Sequence, residues 1–476
     1  MLWACLHIPD FSLQLLLRAA PSAAPVIVST GGNQPTVLSC NTEARSRGIA
    51  PSIKVSAAIA LAPDLVEHHR DASGERRALE RLAGWAGQFT SMVSLSPPDA
   101  LLLEVEGSLR LLGGLGQIML QLAGGSSEIG YTAAIAVAPT PTAARLLARA
   151  GVQSTVTDIA GLESALAGLP LALLEQPAET VRMLCLAGVH TVGACLALPR
   201  DGLARRFGQS LLDELDRALG RLPDPRESYT PPSRYRARLA LPAPVYETEP
   251  LLFAARRLIL ELAGFLRMKQ AGITRLKLTL HHEDRQPTVV RLSFSAPSRD
   301  PQRIQRLLRE RLARLELPER VEAIALDSEE VRPLDSRNLS LFPEDNPAEE
   351  ARWSILDHLR ARLGVDAVYS IATYADHRPE LAWRACEPGD AGYDIGRPQR
   401  PLWLLDQPRP LQLQEQTPAL DGPLALLTGP ERIETGWWDG GDVARDYFVA
   451  ADAQGRRFWI FRERGASAWF LQGIFS

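Results

Sequence analysis

The residues with the most evident chemistry lie in "SLSPPDALLLEVEG", Ser94 to Gly107. Two prolines lead into a short apolar strand, and acids stand at Asp99, Glu104 and Glu106. Asp99 sits at the strand mouth, where a carboxylate can hold a divalent cation. Metal-assisted chemistry on phosphates needs several anionic ligands at one point, and a paired acid is the usual way to supply them. The residue after Asp99 is Ala100, so the stretch is either half of an acid pair or the remains of one.

The other chemically capable residues are basic. From residue 231 to 320 there are 18 Lys/Arg and 9 Asp/Glu, which leaves 34 against 47 in the rest of the chain. The whole chain is acidic, with net charge −4. A basic domain inside an acidic chain is the electrostatic footprint of a phosphate-binding module. Strand alternation puts Arg234, Arg236 and Arg238 on one face, and Arg275 with Lys277 on another strand's face, as Arg291 with Ser293 on the next. A sheet face of this kind suits a nucleic-acid backbone; a merely solvated face is the plainer reading.

The chain must also position these groups. Its 476 residues exceed one core and imply three or four domains. Hydrophobic content of 46% and charged content of 23% are ordinary for a soluble globular protein. No apolar run approaches the ~20 residues of a membrane span. The start "MLWACLHIPDFSLQLLLR" reads as a first core strand rather than a leader. Five scattered cysteines without a C-x-x-C argue against a disulfide framework or a zinc knuckle, so the cytoplasm is the expected location.

Residues 1–164 mix short apolar strands with helices, including an Ala-rich helical segment ended by Pro63 and a helix opened by Thr140 and Pro141. Residues 165–230 read as all helical. Within them "LCLAGVHTVGACLALP" has a turn at Gly188-Val189-His190 and Gly193 near the next helix start. That is a helix-hairpin-helix pattern, which aims backbone N–H groups at a phosphate, or else a helical hairpin that only packs. Residues 231–330 read β-α-β-β-α-β, with the first helix capped by Thr248. Residues 331–350 are a polar, Pro-rich linker interrupted by the apolar island Asn338, Leu339, Ser340, Leu341 and Phe342, a docking peptide or an intramolecular anchor. Residues 351–476 hold one helix, a Pro-broken region and an aromatic β-hairpin around Ala-Gln-Gly. The hairpin's aromatics would serve first as a small core, then as a partner face, then for base stacking.

In this order the pieces resemble the Y-family (UmuC/DinB-like) translesion DNA polymerases, and within them the ImuB branch. "SCNTEARSRGIAPSIKVSAAIALAPDL" is similar to S-Y-E-A-R-x-x-G-V-x-x-G-M-x-x-x-x-A-x-x-x-x-P-x-L of the family's fingers. "AVAPTPTAARLLARA" resembles G-I-A-x-N-K-x-L-A-K-x-A, "SPPDALLLEVEG" resembles S-I-D-E-A-x-L-D-V-T-G, and "NLSLFPE" resembles the clamp peptide Q-L-x-L-F. The resemblance implies an α+β multidomain right hand over residues 1 to about 345: palm and fingers, helix-hairpin-helix thumb and β-α-β-β-α-β little finger, followed by a C-terminal extension.

Family palms hold two divalent cations between a first-strand carboxylate and an adjacent Asp-Glu pair. Here the matching first-strand positions are Pro9 and Asp10, and the pair is Asp99 with Ala100. Thr42 stands where the fingers Tyr would meet a nucleotide, Arg45 keeps the triphosphate Arg, Pro141 replaces one Lys and Arg145 the other. The resemblance therefore implies a polymerase centre without catalytic residues, with a nucleotide-binding remnant at Thr42, Arg45 and Arg145. It implies DNA binding through Gly188, His190, Gly193 and the sheet arginines, and β sliding-clamp binding through residues 338–342. No metal or other cofactor is expected. The implied partners are primer-template DNA, the clamp, an ImuA-type RecA-like protein and an error-prone C-family polymerase. An active divergent polymerase using Asp10, Asp99, a third acid and Mg²⁺ is the alternative, and a bridging scaffold that never touches DNA is another.

Overall fold

The first apolar run, β1 (Trp3–His7), is a central strand of a four-stranded sheet. With β5 (Val93–Ser96), β6 (Ala100–Glu104) and β7 (Ala134–Ala138), it forms the order β5-β6-β1-β7, every neighbour antiparallel. The strands are apolar on both faces because both are covered. Ala4, Leu6 and Ile8 pack with α1 (Phe11–Leu17), α4 (Ala72–Ala86) and α5 (Leu115–Glu128). Trp3 and Cys5 pack on the other side with Ala100, Leu102 and α6 (Pro141–Arg149). Thr140 caps α6 by accepting from the Ala143 N–H, as the Thr-Pro pair predicts.

This computed structural model describes all residues except 19–21, 153, 284, 335–351, 353–354, 358, 361, 365–366, 389–391, 393–399 and 476. The Asn338–Phe342 island lies outside the described residues.

The fingers are a small sheet in the order β3-β2-β4, made of β2 (Val26–Ser29), β3 (Val37–Cys40) and β4 (Val66–His69). The segment expected as one Ala-rich helix is two, α2 (Thr42–Ser46) and α3 (Val55–Leu61). Gly48 at φ 85° and Ser52 at φ 72° turn the chain between them, conformations a continuing helix cannot include.

Five helices form the thumb: α7 (Leu162–Ala167), α8 (Ala178–Leu186), α9 (Val192–Leu196), α10 (Arg200–Phe207) and α11 (Gln209–Ala218). Then come β8 (Arg236–Val245), α12 (Thr248–Met268), β9 (Ala271–His282), β10 (Thr288–Ser298), α13 (Pro301–Leu312) and β11 (Val321–Pro333). This is the expected β-α-β-β-α-β order, in a sheet β10-β9-β11-β8 whose one face carries α12 and α13. Glu247, not Thr248, holds the cap position of α12, and no side chain caps it.

Two compact units divide at Arg362, beyond the boundary of 350 expected from composition. The described helical residues of 352–362 belong with the first unit because Asp357 is buried there. It accepts from the Ser295 N–H at 2.9 Å and from Arg303 Nε at 2.9 Å. The second unit, Leu363–Ser476, contains a hairpin of β12 (Ser370–Thr373) and β13 (Trp383–Cys386). Its main sheet has six strands: β14 (Trp403–Gln414), β15 (Thr417–Ala419), β16 (Ala425–Thr435), β17 (Val443–Ala451), β18 (Arg457–Glu463) and β19 (Trp469–Ile474). The expected aromatic hairpin is β17–β18. Tyr447, Trp459 and Phe461 are buried in its core, Tyr447 stacked on Trp459 at 4.3 Å between ring centroids. The Pro-broken region includes a strand, β14, whose Pro408 falls within a register irregularity between Leu404 and Arg409, where a missing N–H is tolerated.

Candidate functional site

The palm centre is built where β1 ends beside the mouth of β6. In register, His7 faces Ala100, and the Ile8 N–H donates to the Asp99 carbonyl at 2.8 Å. The strand stops there for a local reason: Pro9 has no N–H to continue the ladder, and Asp10 turns the chain at φ 48°. The first-strand residue brought to Asp99 is therefore His7, two positions before Pro9, which corrects the register expected from the I-D-x-D pattern. His7 Nε2 lies 3.5 Å from Asp99 Oδ2. From α6, Arg149 Nη2 lies 3.2 Å from Asp99 Oδ1, and its Nη1 lies 3.1 Å from Glu175 Oε1.

Partial burial works against ionisation of Asp99, but the His7 hydrogen bond and the Arg149 charge outweigh it, and its carboxyl is held below the usual carboxylate range. Ala100 is fully buried and supplies no ligand. Cys5, next on the His7 face, has its thiol pushed up to about 12 by burial and stays neutral. Asp10 is engaged by the fingers instead: its carboxylate accepts from Arg45 Nη2 at 2.6 Å. Glu104 sits at the far end of β6 and accepts from the Glu106 N–H at 3.2 Å. One carboxylate flanked by a histidine and an arginine does not fit a pair of divalent cations, which require several anionic oxygens in near-octahedral array. Among the described residues, no group of three or more His, Cys, Asp or Glu is placed to hold a metal ion.

The expected nucleotide remnant does not assemble as a triad. Thr42 and Arg45 share the exposed side of α2. Arg145 is buried instead, paired with Glu214 at 3.0 Å and with Glu175, and it braces α6 against the thumb. Its apolar neighbourhood explains this: a charge on the inward side of α6 must find a carboxylate within the core. No hydrogen bond or ion pair among the described residues joins it to Arg45 or Thr42.

In the thumb hairpin, Gly188 adopts φ 81° and lets the Val189 N–H return to the Leu184 carbonyl at 3.0 Å. Val189 is buried while His190 is exposed. Gly193 has a packing role: a Cβ there would lie 2.9 Å from the Ala167 carbonyl oxygen.

The little-finger sheet presents the expected row. Arg236, Asp327, Lys277 and Arg291 lie side by side across the four strands. Arg234, Arg236 and Arg238 are exposed and alternate with buried Tyr235, Ala237 and Leu239. Acids on β11 temper this face: Asp327 accepts from Arg236 at 2.9 Å, Glu330 lies 3.7 Å from Arg275 and Glu329 3.8 Å from Lys277. Arg234, Arg238 and Arg291 have no ion pair among the described residues.

Sequence reasoning missed His7, Arg149 and Glu175. A signal for Arg149 was present, four residues after Arg145 and thus one turn along the same side of α6. Two acids of β11, Asp327 and Glu329, were also legible as alternate-residue charges in "ALDSEEVRP".

Residues 7–149 match the impB/mucB/samB family. The protein ImuB of Caulobacter vibrioides, strain NA1000 / CB15N, is 30% identical over 462 residues, covering 90% of this chain and 100% of that protein. ImuB of a second strain, ATCC 19089 / CIP 103742 / CB 15, matches equally. Among solved structures, the Dbh ternary complex is 18% identical with a TM-score of 0.41, over 70% of this chain and 100% of that one. DinB from Sulfolobus solfataricus is 18% identical with a TM-score of 0.39, over 69% and 98%. No helix among the described residues is long and apolar enough to cross a membrane. An ImuB relative 30% identical to this chain and aligned along its own whole length places the chain in the ImuB family.

Proposed function

We propose that this protein is a non-catalytic accessory factor of mutagenic translesion DNA synthesis in the bacterial cytoplasm. It grips primer-template DNA with thumb and little finger, docks on the β sliding clamp through Leu339, Leu341 and Phe342, and uses its C-terminal unit to recruit an ImuA-type RecA-like protein and an error-prone C-family polymerase. Several weak contacts on one chain raise effective concentration at a stalled fork without a strong single interface. The observation that carries the reading is the neutralised palm, where Asp99 is satisfied by His7 and Arg149 rather than left open for metal.

An active divergent polymerase would need Asp10 beside Asp99, whereas Asp10 is engaged by Arg45. A scaffold without DNA contact draws support from the acids that temper the little-finger arginines. Primer extension by the pure protein with Mg²⁺ or Mn²⁺, alongside gel shifts on primer-template at graded salt, separates all three. The expected result is binding that weakens steeply with salt, and no extension. Measurable nucleotide incorporation supports the polymerase, and no binding at low salt supports the scaffold. For the clamp contact, Leu341→Ala with Phe342→Ala should abolish clamp binding, because apolar anchors dominate such peptide pockets.

A further inference from the structure

The second unit displays two tryptophans that its own fold does not use. Trp437 is 78% exposed and Trp438 60%, their rings edge to face at 5.7 Å. They sit on the loop between β16 and β17, and that loop is anchored from beneath. Arg378, only 5% exposed, donates from Nη1 to Asp439 Oδ1 at 3.0 Å and to the Gly441 carbonyl at 3.2 Å, and from Nη2 to Asp439 Oδ2 at 2.5 Å. Asp376 holds the other side of the same guanidinium, accepting from Nε at 3.1 Å and Nη2 at 2.8 Å. Asp439 also accepts from the Gly441 N–H at 2.9 Å.

The backbone leaves no slack around this clamp. Gly436, at φ 87°, could not carry a Cβ, which would lie 2.3 Å from the Gly441 carbonyl oxygen. A buried arginine with every side engaged is unusual support for an exposed loop, and its effect is to hold two large apolar rings out in water. Rigid, pre-positioned tryptophans lose little entropy on binding and are among the residues that most often dominate protein interfaces.

Charge around the rings selects the occupant. From Gly436 to Asp442 the loop carries Asp439 and Asp442 and no base. Asp442 is exposed and has no ion pair among the described residues. Nearby arginines are already engaged, Arg464 with Glu434 at 3.0 Å and Arg432 with Asp446 at 2.8 Å. A phosphate backbone would be repelled here, so base stacking is disfavoured although indoles suit it.

We infer that Trp437 and Trp438 form a prebuilt docking site for a partner protein's apolar segment flanked by lysine or arginine. This deepens the proposed recruiting role of the C-terminal unit and rests on it.

The test is surface plasmon resonance on the full-length chain, with the purified RecA-like partner and the C-family polymerase as probes at two salt concentrations. Trp437→Ala with Trp438→Ala should weaken one of them at least about tenfold, as interface anchors do. Trp403→Ala, which removes a different exposed indole, should not. Asp442→Asn should weaken the same interaction and reduce its salt dependence. Both rings are exposed, so the double variant should melt like the parent, and this is checked directly. Undiminished binding by the double variant overturns the inference and leaves the recruiting role standing. Single-stranded oligothymidylate binding that the double variant loses also overturns it, in favour of nucleic acid. If the parent chain binds neither protein, the recruiting role falls and the inference with it.

Discussion

Arg149 meets Asp99 head on: its Nη2 lies 3.2 Å from Asp99 Oδ1, with both side chains largely withdrawn from water. In a metal-dependent palm a cation would neutralise this carboxylate from outside. Here the neutralising charge is part of the chain, supplied by the last residue of α6. The palm can therefore fold around its remaining acid without any ion. Arg149→Ala should leave Asp99 half-buried with His7 alone and lower stability by about 1.5–3 kcal/mol, the range for a hydrogen bond to a charged group. Asp99→Ala in the same background should restore part of the loss, because the stranded charge is gone. Urea unfolding of the two single variants and the double variant gives the coupling energy, and strict additivity would deny the pairing.

The same carboxylate sets a pH dependence. Its native pKa is held below that of the unfolded chain, whose aspartates titrate near ~3.9. The group thus adds stability that is present above that value and is lost as pH falls through its lower native pKa. Melting temperature followed from neutral to acid pH should drop more gently in Asp99→Asn than in the parent over that window. Parallel curves would place the acid sensitivity elsewhere.

Much of this architecture was legible beforehand, and the exceptions share a cause. The β-α-β-β-α-β little finger, the Thr140-Pro141 helix start and the β17–β18 hairpin follow from period, cap and turn residues, which act over a few positions. Asp99 was found by the same local logic. Its partners were not, because His7 and Arg149 arrive from elements about 90 and 50 residues away, brought in by strand register and by the packing of α6 on the sheet. The motif match at Pro9 was displaced for the same reason: a pattern of letters does not say where a strand stops, whereas proline's missing N–H does. Arg145 was assigned to a nucleotide because it matches a lysine; its burial against Glu214 is a tertiary fact.

A second long-range contact holds the little finger to the palm. Arg18 and Glu261, both fully buried, meet at 2.6 Å, and Tyr235 donates to Glu261 at 2.7 Å while Arg18 donates to Tyr131 at 2.7 Å. Arg81 adds a second cation 3.6 Å from Glu261. Glu261→Leu should cost about 3–5 kcal/mol, since it strands two buried guanidinium groups. Adding Arg18→Met should recover part of that, because one uncompensated charge is removed and apolar packing replaces it. Calorimetric or urea unfolding distinguishes the outcomes: a double variant worse than Glu261→Leu alone would mean that the residues act separately.

The little-finger face yields the most specific test of DNA binding, because its positive charge is partly held in check. Asp327 lies in register between Arg236 and Lys277 and accepts from Arg236 at 2.9 Å. If this face meets phosphates, Asp327→Asn should tighten primer-template binding by releasing that arginine and removing a repulsive carboxylate. Replacing Arg234, Arg238 and Arg291, which have no ion pair among the described residues, by alanine should weaken it and reduce the slope of log affinity against log salt by about 0.9 for each phosphate that is no longer neutralised. Arg275→Ala should do less, its charge being shared with Glu330 at 3.7 Å. Stability should change little in all these variants, since the arginines are exposed and their removal opens no cavity. Fluorescence anisotropy on labelled primer-template across a salt series reads each effect. The ordering matters more than any single value: Asp327→Asn above the parent, Arg275→Ala near it and the triple variant well below. An Asp327→Asn chain that binds no better than the parent would move the DNA-binding surface off this sheet and onto the thumb hairpin around Gly188 and His190.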